Sequence, residues 1–336
     1  MARLLDVYRS IGIARNKDEF AIKQLYVGSS VWVGRDSLGK PVVLIESRSD
    51  GGNAYCVVLQ HLSFEPSVTC NISLPAAEKR EITAAVIRCT GTDRGLQEHF
   101  LRALSPACEE FGVRPNVSDV AMLFQTLVDL FQALTQPSVK SVQGLWAELA
   151  LIARAEDLPV ALMCWQRRER SLIDFEHAQA EVEVKSCLST VRRHHFKLAQ
   201  LQRISSVPRY IASLILLATE DGTSINDLWD RIEKRLDGGT ELKSRLAERI
   251  ARLLGSDWQR ADLQKYDETE ALESLKIFSA NEVPKVGDDV DPAITDIEFS
   301  VDLSAVDVAS HCLLERGGPL LRSLFPKRPA SLGETM

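Results

Sequence analysis

The sequence predicts an α/β protein in three parts. Three observations carry that reading: strand-like apolar and alternating runs across residues 21–90, helical periodicity in the two segments that follow, and an α-β-β-β-α-β-α succession between residues 141 and 236. The chain has 336 residues, 45% of them hydrophobic, enough for one large core or two to three smaller ones.

The first part, residues 1–137, reads as β-rich and then helical. Residues 31–35 and 41–46 flank the turn-forming stretch 36–40 as a hairpin, and 55–62, 68–74 and 82–89 read as further strands. Residues 95–111 and 118–134 carry apolar side chains on one helical face, and Ser118 is a candidate N-cap.

The second part, residues 138–237, opens with a helix over 141–156. Residues 161–165, 171–176 and 181–188 read as strands, 194–204 as a short helix, and 210–218 as another strand. Ser224 caps a helix over 225–236, with Leu228, Trp229, Ile232 and Leu236 on one face. Asp237-Gly238-Gly239 breaks the chain. The third part, 238–336, is helical over 240–254 and then mixed and acidic; 297–303 alternates like an edge strand, and the tail from Pro326 reads as loose.

Composition narrows the function classes. The net charge of −7 argues against a surface coated for nucleic acid. The charge is uneven, however: residues 185–209 hold six basic side chains and no acid, whereas 257–307 hold fourteen acids and four bases. Screening confines each charge to about 8–10 Å in physiological salt, so a local basic strip can still meet phosphates. Seven scattered cysteines without CxxC pairs fit a reducing, cytoplasmic setting. No run is long enough to span a bilayer, and the N-terminus lacks signal-peptide features. Phosphate-loop, dinucleotide-loop, nucleophile-elbow and HExxH motifs are absent, so an ATP-driven activity would have to come from a partner.

The chemistry concentrates in SLIDFEHAQAEVEVKSCLS, residues 171–189. Alternation along a strand puts Glu181, Glu183 and Lys185 on one face. A short connection pairs that strand with the one before it and lets Asp174 lie beside Glu183 and Lys185. Two carboxylates and an ammonium converging on a sheet suit a hard divalent cation, with the carbonyl between Glu183 and Lys185 as a further ligand. Lys185 would orient the attacking water or stabilise charge on the phosphorus. Glu148 lies on a helix apolar on nearly every side, so it needs either a metal or a cation such as Arg154.

This segment resembles the PD-(D/E)xK nuclease superfamily, and more closely the bacterial family of PD-(D/E)XK motif proteins found in restriction and phage-defence operons. The matching residues are 144–149 (GLWAEL), Trp165, Asp174-Phe175, Glu183-Val184-Lys185-Ser186, and the run from Arg192-Arg193-His194-His195-Phe196 through Gln200-Leu201. Tyr266 and the 297–303 strand are also similar. Ile173 stands where the motif has proline.

The resemblance implies a restriction-endonuclease-like core (α-β-β-β-α-β) and a metal-dependent DNA endonuclease or its degenerate relative. It implies Mg²⁺ or Mn²⁺ on Asp174 and Glu183, with Glu148 as a helper. Gln200 would orient water or phosphate, or else be an ordinary exposed helix residue. Arg192, Arg193, His194, His195 and Lys197 would touch DNA phosphates, or else form a solvated helix start. Glu181 is a weaker candidate for a second metal. The expected partners are DNA and proteins of the same defence operon (a helicase/ATPase or a methyltransferase), with no membrane and with a homodimer as one arrangement. The competing reading is an inactive nuclease-fold subunit that binds DNA or protein.

Overall fold

A computed structural model describes residues 4–326 except 18, 51–53, 74–78, 112–113, 169–170, 203–206, 237, 288–290, 292–293 and 311–316. The tail expected to be loose lies outside the described residues beyond Pro326. No described helix is long and apolar enough to cross a membrane. The chain forms two compact units, one of residues 1–137 with 239–258, the other of 138–238 with 259–336. The third part expected from the sequence is therefore divided between them.

In the first unit, α1 (Leu4–Arg9) precedes a six-stranded antiparallel sheet of β1 (Ala21–Gln24), β2 (Val31–Arg35), β3 (Pro41–Glu46), β4 (Val57–Val58), β5 (Leu62–Ser73) and β6 (Lys79–Cys89), in the order β1-β2-β3-β6-β5-β4. The expected hairpin forms because Asp36 Oδ1 accepts from the amides of Leu38 and Lys40, at 2.9 and 2.7 Å, while Gly39 takes a left-handed φ of +77°. The strand expected over 55–62 shrinks to two residues, and β5 instead begins at Leu62. Trp32, Val42, Leu44, Ile72, Ile82, Ala84 and Val86 form one buried face. Helices α2 (Arg94–Glu110) and α3 (Val117–Ala133) are capped by Asp93 and Asn116, so Ser118 lies inside its helix rather than at its cap. The later helix α8 (Thr240–Leu254) packs on α2 and α3, which draws it out of the C-terminal region.

The second unit begins with α4 (Val142–Arg154), capped by Ser141, and α5 (Leu158–Cys164). Residues 161–165 had read as a strand. Asp157 instead caps a helix by accepting from the amide of Val160, with Pro159 in its first turn, where a missing N–H costs nothing. Then follow β7 (Phe175–Glu176), β8 (Glu181–Cys187), β9 (Arg193–Lys197), α6 (Leu198–Leu201), β10 (Arg209–Ile215), β11 (Ala218–Thr223) and α7 (Ile225–Arg235), whose Ser224 forms a capping box with Asp227. After α8 come α9 (Glu268–Glu273), β12 (Lys276–Ser279), β13 (Glu298–Asp302) and α10 (Gly318–Leu324).

The main sheet runs β12-β10-β8-β7, with β8 and β10 parallel. Residues 194–197, the start of the helix expected over 194–204, belong instead to strand β9, which pairs with β13 in a separate two-stranded sheet. Of the stretch expected to be helical, Leu198–Leu201 form α6, and 203–204 lie outside the described residues. The elements run α4-α5-β7-β8-β9-α6-β10, with a second helix where the first strand was expected and with β9 outside the main sheet.

Candidate active site

The site lies in the second unit, where β8 meets the end of the Asp174 segment and the buried side of α4. Phe175 pairs with Val182 and Glu176 with Glu181, so the antiparallel register continues to set Asp174 opposite Glu183. Asp174 Oδ2 accepts from the amide of Val184 at 2.7 Å. On β8 itself, Lys185 Nζ lies 2.9 Å from Glu183 Oε1. The structure brings Asp174, Glu183 and Lys185 together, although the strand expected over 171–176 is formed only by Phe175–Glu176 and Asp174 sits on a bend just before it. Asp174 and Glu183 are each 3% exposed, and Glu148 on α4 is 1% exposed.

Sequence reasoning missed Lys140. This residue stands just before the Ser141 cap, and its ammonium bonds both Glu148 Oε1 and Asp174 Oδ1. The other oxygen of Glu148 accepts from Trp165 Nε1 at 2.6 Å. Gln166, also missed, donates its side-chain amide to Asp174 Oδ1 at 3.2 Å and its backbone amide to the Asp174 carbonyl at 2.7 Å. Its φ of +44° is the left-handed conformation that lets the chain turn there. The only sequence signal for Lys140 is a lysine next to a helix cap, which specifies no target.

Gln200 is buried rather than exposed. Its Nε2 donates to Glu183 Oε1 at 2.6 Å, and its Oε1 accepts from Lys185 Nζ at 3.1 Å, so one amide holds both motif side chains. Glu181 faces Arg209, with Nε and Nη2 both 2.8 Å from its Oε2; that ion pair occupies the carboxylate considered for a second metal.

The basic cluster splits according to the alternation of β9. Arg193, His195 and Lys197 point outward, while Arg192 and His194 are buried. Arg192 donates to the carbonyl and hydroxyl of Ser213 at 2.8 and 2.9 Å and to the Ser274 carbonyl. His194 Nε2 lies 2.7 Å from the same hydroxyl, and burial lowers its pKa to about 4. These two residues tie the strand to the core instead of lining a surface for phosphates. On the outer face, Lys197 lies 3.7 Å from Glu298, and His195 Nδ1 lies 3.0 Å from Ser300 Oγ.

Electrostatics mark the centre. Burial, then the charge of Asp174, push the Glu183 carboxyl up to about 8, against the pull of Lys185 and Lys140. Burial and Asp174 likewise push Glu148 up to about 7, opposed by Lys140 and the Trp165 hydrogen bond. Burial works against the Lys140 charge, but Glu148, Asp174 and Glu183 outweigh it and hold the ammonium protonated. Among the described residues, no three acidic, histidine or cysteine side chains are gathered as a ready ligand cage. The Lys140 ammonium sits between Glu148 and Asp174 instead. The donor set nevertheless fits a hard cation: Glu183 Oε2 is buried without any hydrogen-bond partner, and a second carboxylate, Asp174, lies close enough to act on Glu183.

An α/β unit thus gathers an aspartate with a glutamate and a lysine two residues apart on the next strand, the residue pattern of the PD-(D/E)XK fold family. The chain belongs to the family described as "Putative PD-(D/E)XK family member, (DUF4420)", whose sequence profile matches residues 23–304. Comparison with curated proteins and comparison with solved structures each gave no match.

Proposed function

We propose that this chain is a Mg²⁺- or Mn²⁺-dependent DNA endonuclease of a bacterial restriction or phage-defence system, working in the cytoplasm. The observation that carries this reading is the buried, unpartnered Glu183 Oε2, with Asp174 acting on the same carboxyl and Lys185 alongside. Leaving such an oxygen unsatisfied costs about 1–3 kcal/mol, a cost relieved when a cation binds. Asp174 and Glu183 would hold the ion. Bound there, a divalent cation polarises a phosphoryl oxygen and acidifies a water. Lys185, fixed by Gln200 and lying 5.0 Å from the centroid of the Phe196 ring, holds its ammonium where charge grows on the phosphorus. The superfamily's usual reaction, phosphodiester hydrolysis, is consistent with these roles. A helicase/ATPase or methyltransferase of the same operon would supply strand opening or discrimination of self.

A second reading, a catalytically weak subunit that binds DNA or protein, is favoured by charge. The net charge is −7, and Arg192 and His194 are turned inward. Incubating the purified chain with plasmid DNA and Mg²⁺ or Mn²⁺ separates the two. The nuclease reading expects cutting that falls by about 100-fold or more in Asp174→Ala and Lys185→Ala. Undiminished cutting in either variant would move the activity elsewhere, and no cutting with intact DNA binding would favour the subunit reading.

A further inference from the structure

We propose that Lys140 is a resident cation standing in for a second divalent ion. The site then takes a single metal, on Asp174 and Glu183, while Glu148 serves Lys140 rather than the metal. This inference rests on the nuclease reading and specifies its metal content.

The hydrogen bonds sort the carboxylate oxygens. Lys140 takes one oxygen from Glu148 and one from Asp174. Trp165 takes the other Glu148 oxygen at 2.6 Å, and the Val184 amide takes the other Asp174 oxygen at 2.7 Å. Lys185 and Gln200 share Glu183 Oε1. Glu183 Oε2 alone is left without a partner. The open coordination therefore lies at the Glu183 end; the oxygens of Asp174 and Glu148 are all engaged, and position separates the two, because Asp174 Oδ2 is held at the Val184 amide next to Glu183 whereas Glu148 is held by Lys140 and Trp165.

Charge balance leads to the same assignment. With all three ionised, the buried carboxylates face two ammoniums, Lys140 and Lys185, which leaves one excess negative charge for a metal to meet. One divalent ion reverses that sign. A second would bury further positive charge with no carboxylate left to meet it, which a low-dielectric site resists. Lys140 is itself only 23% exposed, and two salt bridges anchor it, so it is built into the site rather than sampling it from solvent.

The test is the number of Mn²⁺ ions bound per full-length chain, read by equilibrium dialysis and calorimetric titration. Wild type should bind one. Lys140→Gln should bind two, because the freed Glu148 and Asp174 oxygens then accept an ion. Glu148→Gln should still bind one. Two ions on wild type, one on Lys140→Gln, or none on Glu148→Gln would each overturn the proposal while leaving the nuclease reading intact. Should Lys140→Gln fail to fold, as judged by circular dichroism, the wild-type and Glu148→Gln counts decide. A wild-type chain that binds no Mn²⁺ overturns the nuclease reading and this inference with it.

Discussion

Replacing Glu183 by glutamine should make the metal-free protein more stable at alkaline pH. Glu183 is 3% exposed, and its carboxyl is pushed from 4.5 up to about 8, first by burial and then by Asp174. Between those values the folded chain holds a proton that the unfolded chain releases, so stability falls as pH rises through the window. Each tenfold step corresponds to about 1.4 kcal/mol, which sets a ceiling of about 5 kcal/mol by pH 8. Glutamine removes this penalty, and its carbonyl still accepts from Gln200 and Lys185. Lys185 loses its counter-charge, which takes back about 2 kcal/mol. The net expectation is about 3 kcal/mol in favour of Glu183→Gln at pH 8, and near equality at pH 5. Thermal melts in a chelator read this directly, as a gain of about 5–10 °C at pH 8. A residual slope in the variant should level off above pH 7, as Glu148 ionises. Parallel stability curves for the two proteins, or a variant less stable than wild type at pH 8, would refute the reasoning.

Two further outcomes follow from the same contacts. Trp165→Phe removes the indole donor from Glu148 Oε2 and should cost about 1–3 kcal/mol in urea unfolding; a neutral substitution would mean that this bond holds nothing in place. Arg192→Met strips the Ser213 and Ser274 carbonyls of their guanidinium and should cost about 3 kcal/mol, while the exposed Arg193→Ala stays within about 0.5 kcal/mol. Equal stability of these two variants would count against the structural role given to Arg192.

Much of the site was legible because it depends on short-range geometry. A period of two fixes Glu183 and Lys185 on one face, and a four-residue connection between β7 and β8 leaves Asp174 little choice of neighbour. Caps such as Ser224 were equally local. The errors arose where local pattern is ambiguous or partners are distant. The apolar run at 161–165 suits a strand or a helix, and only Asp157 with Pro159 tips it to a helix. Residues 193–197 do alternate, but the strand that pairs with them begins at Glu298, about a hundred positions downstream. Lys140 finds Asp174 thirty-four residues away, through the packing of α4 against β8, and no periodicity encodes that meeting.

The bond from the Val184 amide to Asp174 makes the main chain the ruler of the site. The aspartate is gauged against the very residue that separates Glu183 from Lys185, so the two acids keep their spacing while their side chains relax. A longer acid at position 174 would overshoot that peptide group. Peeling residue 184 away from its neighbours would dismantle both acidic arms in a single step.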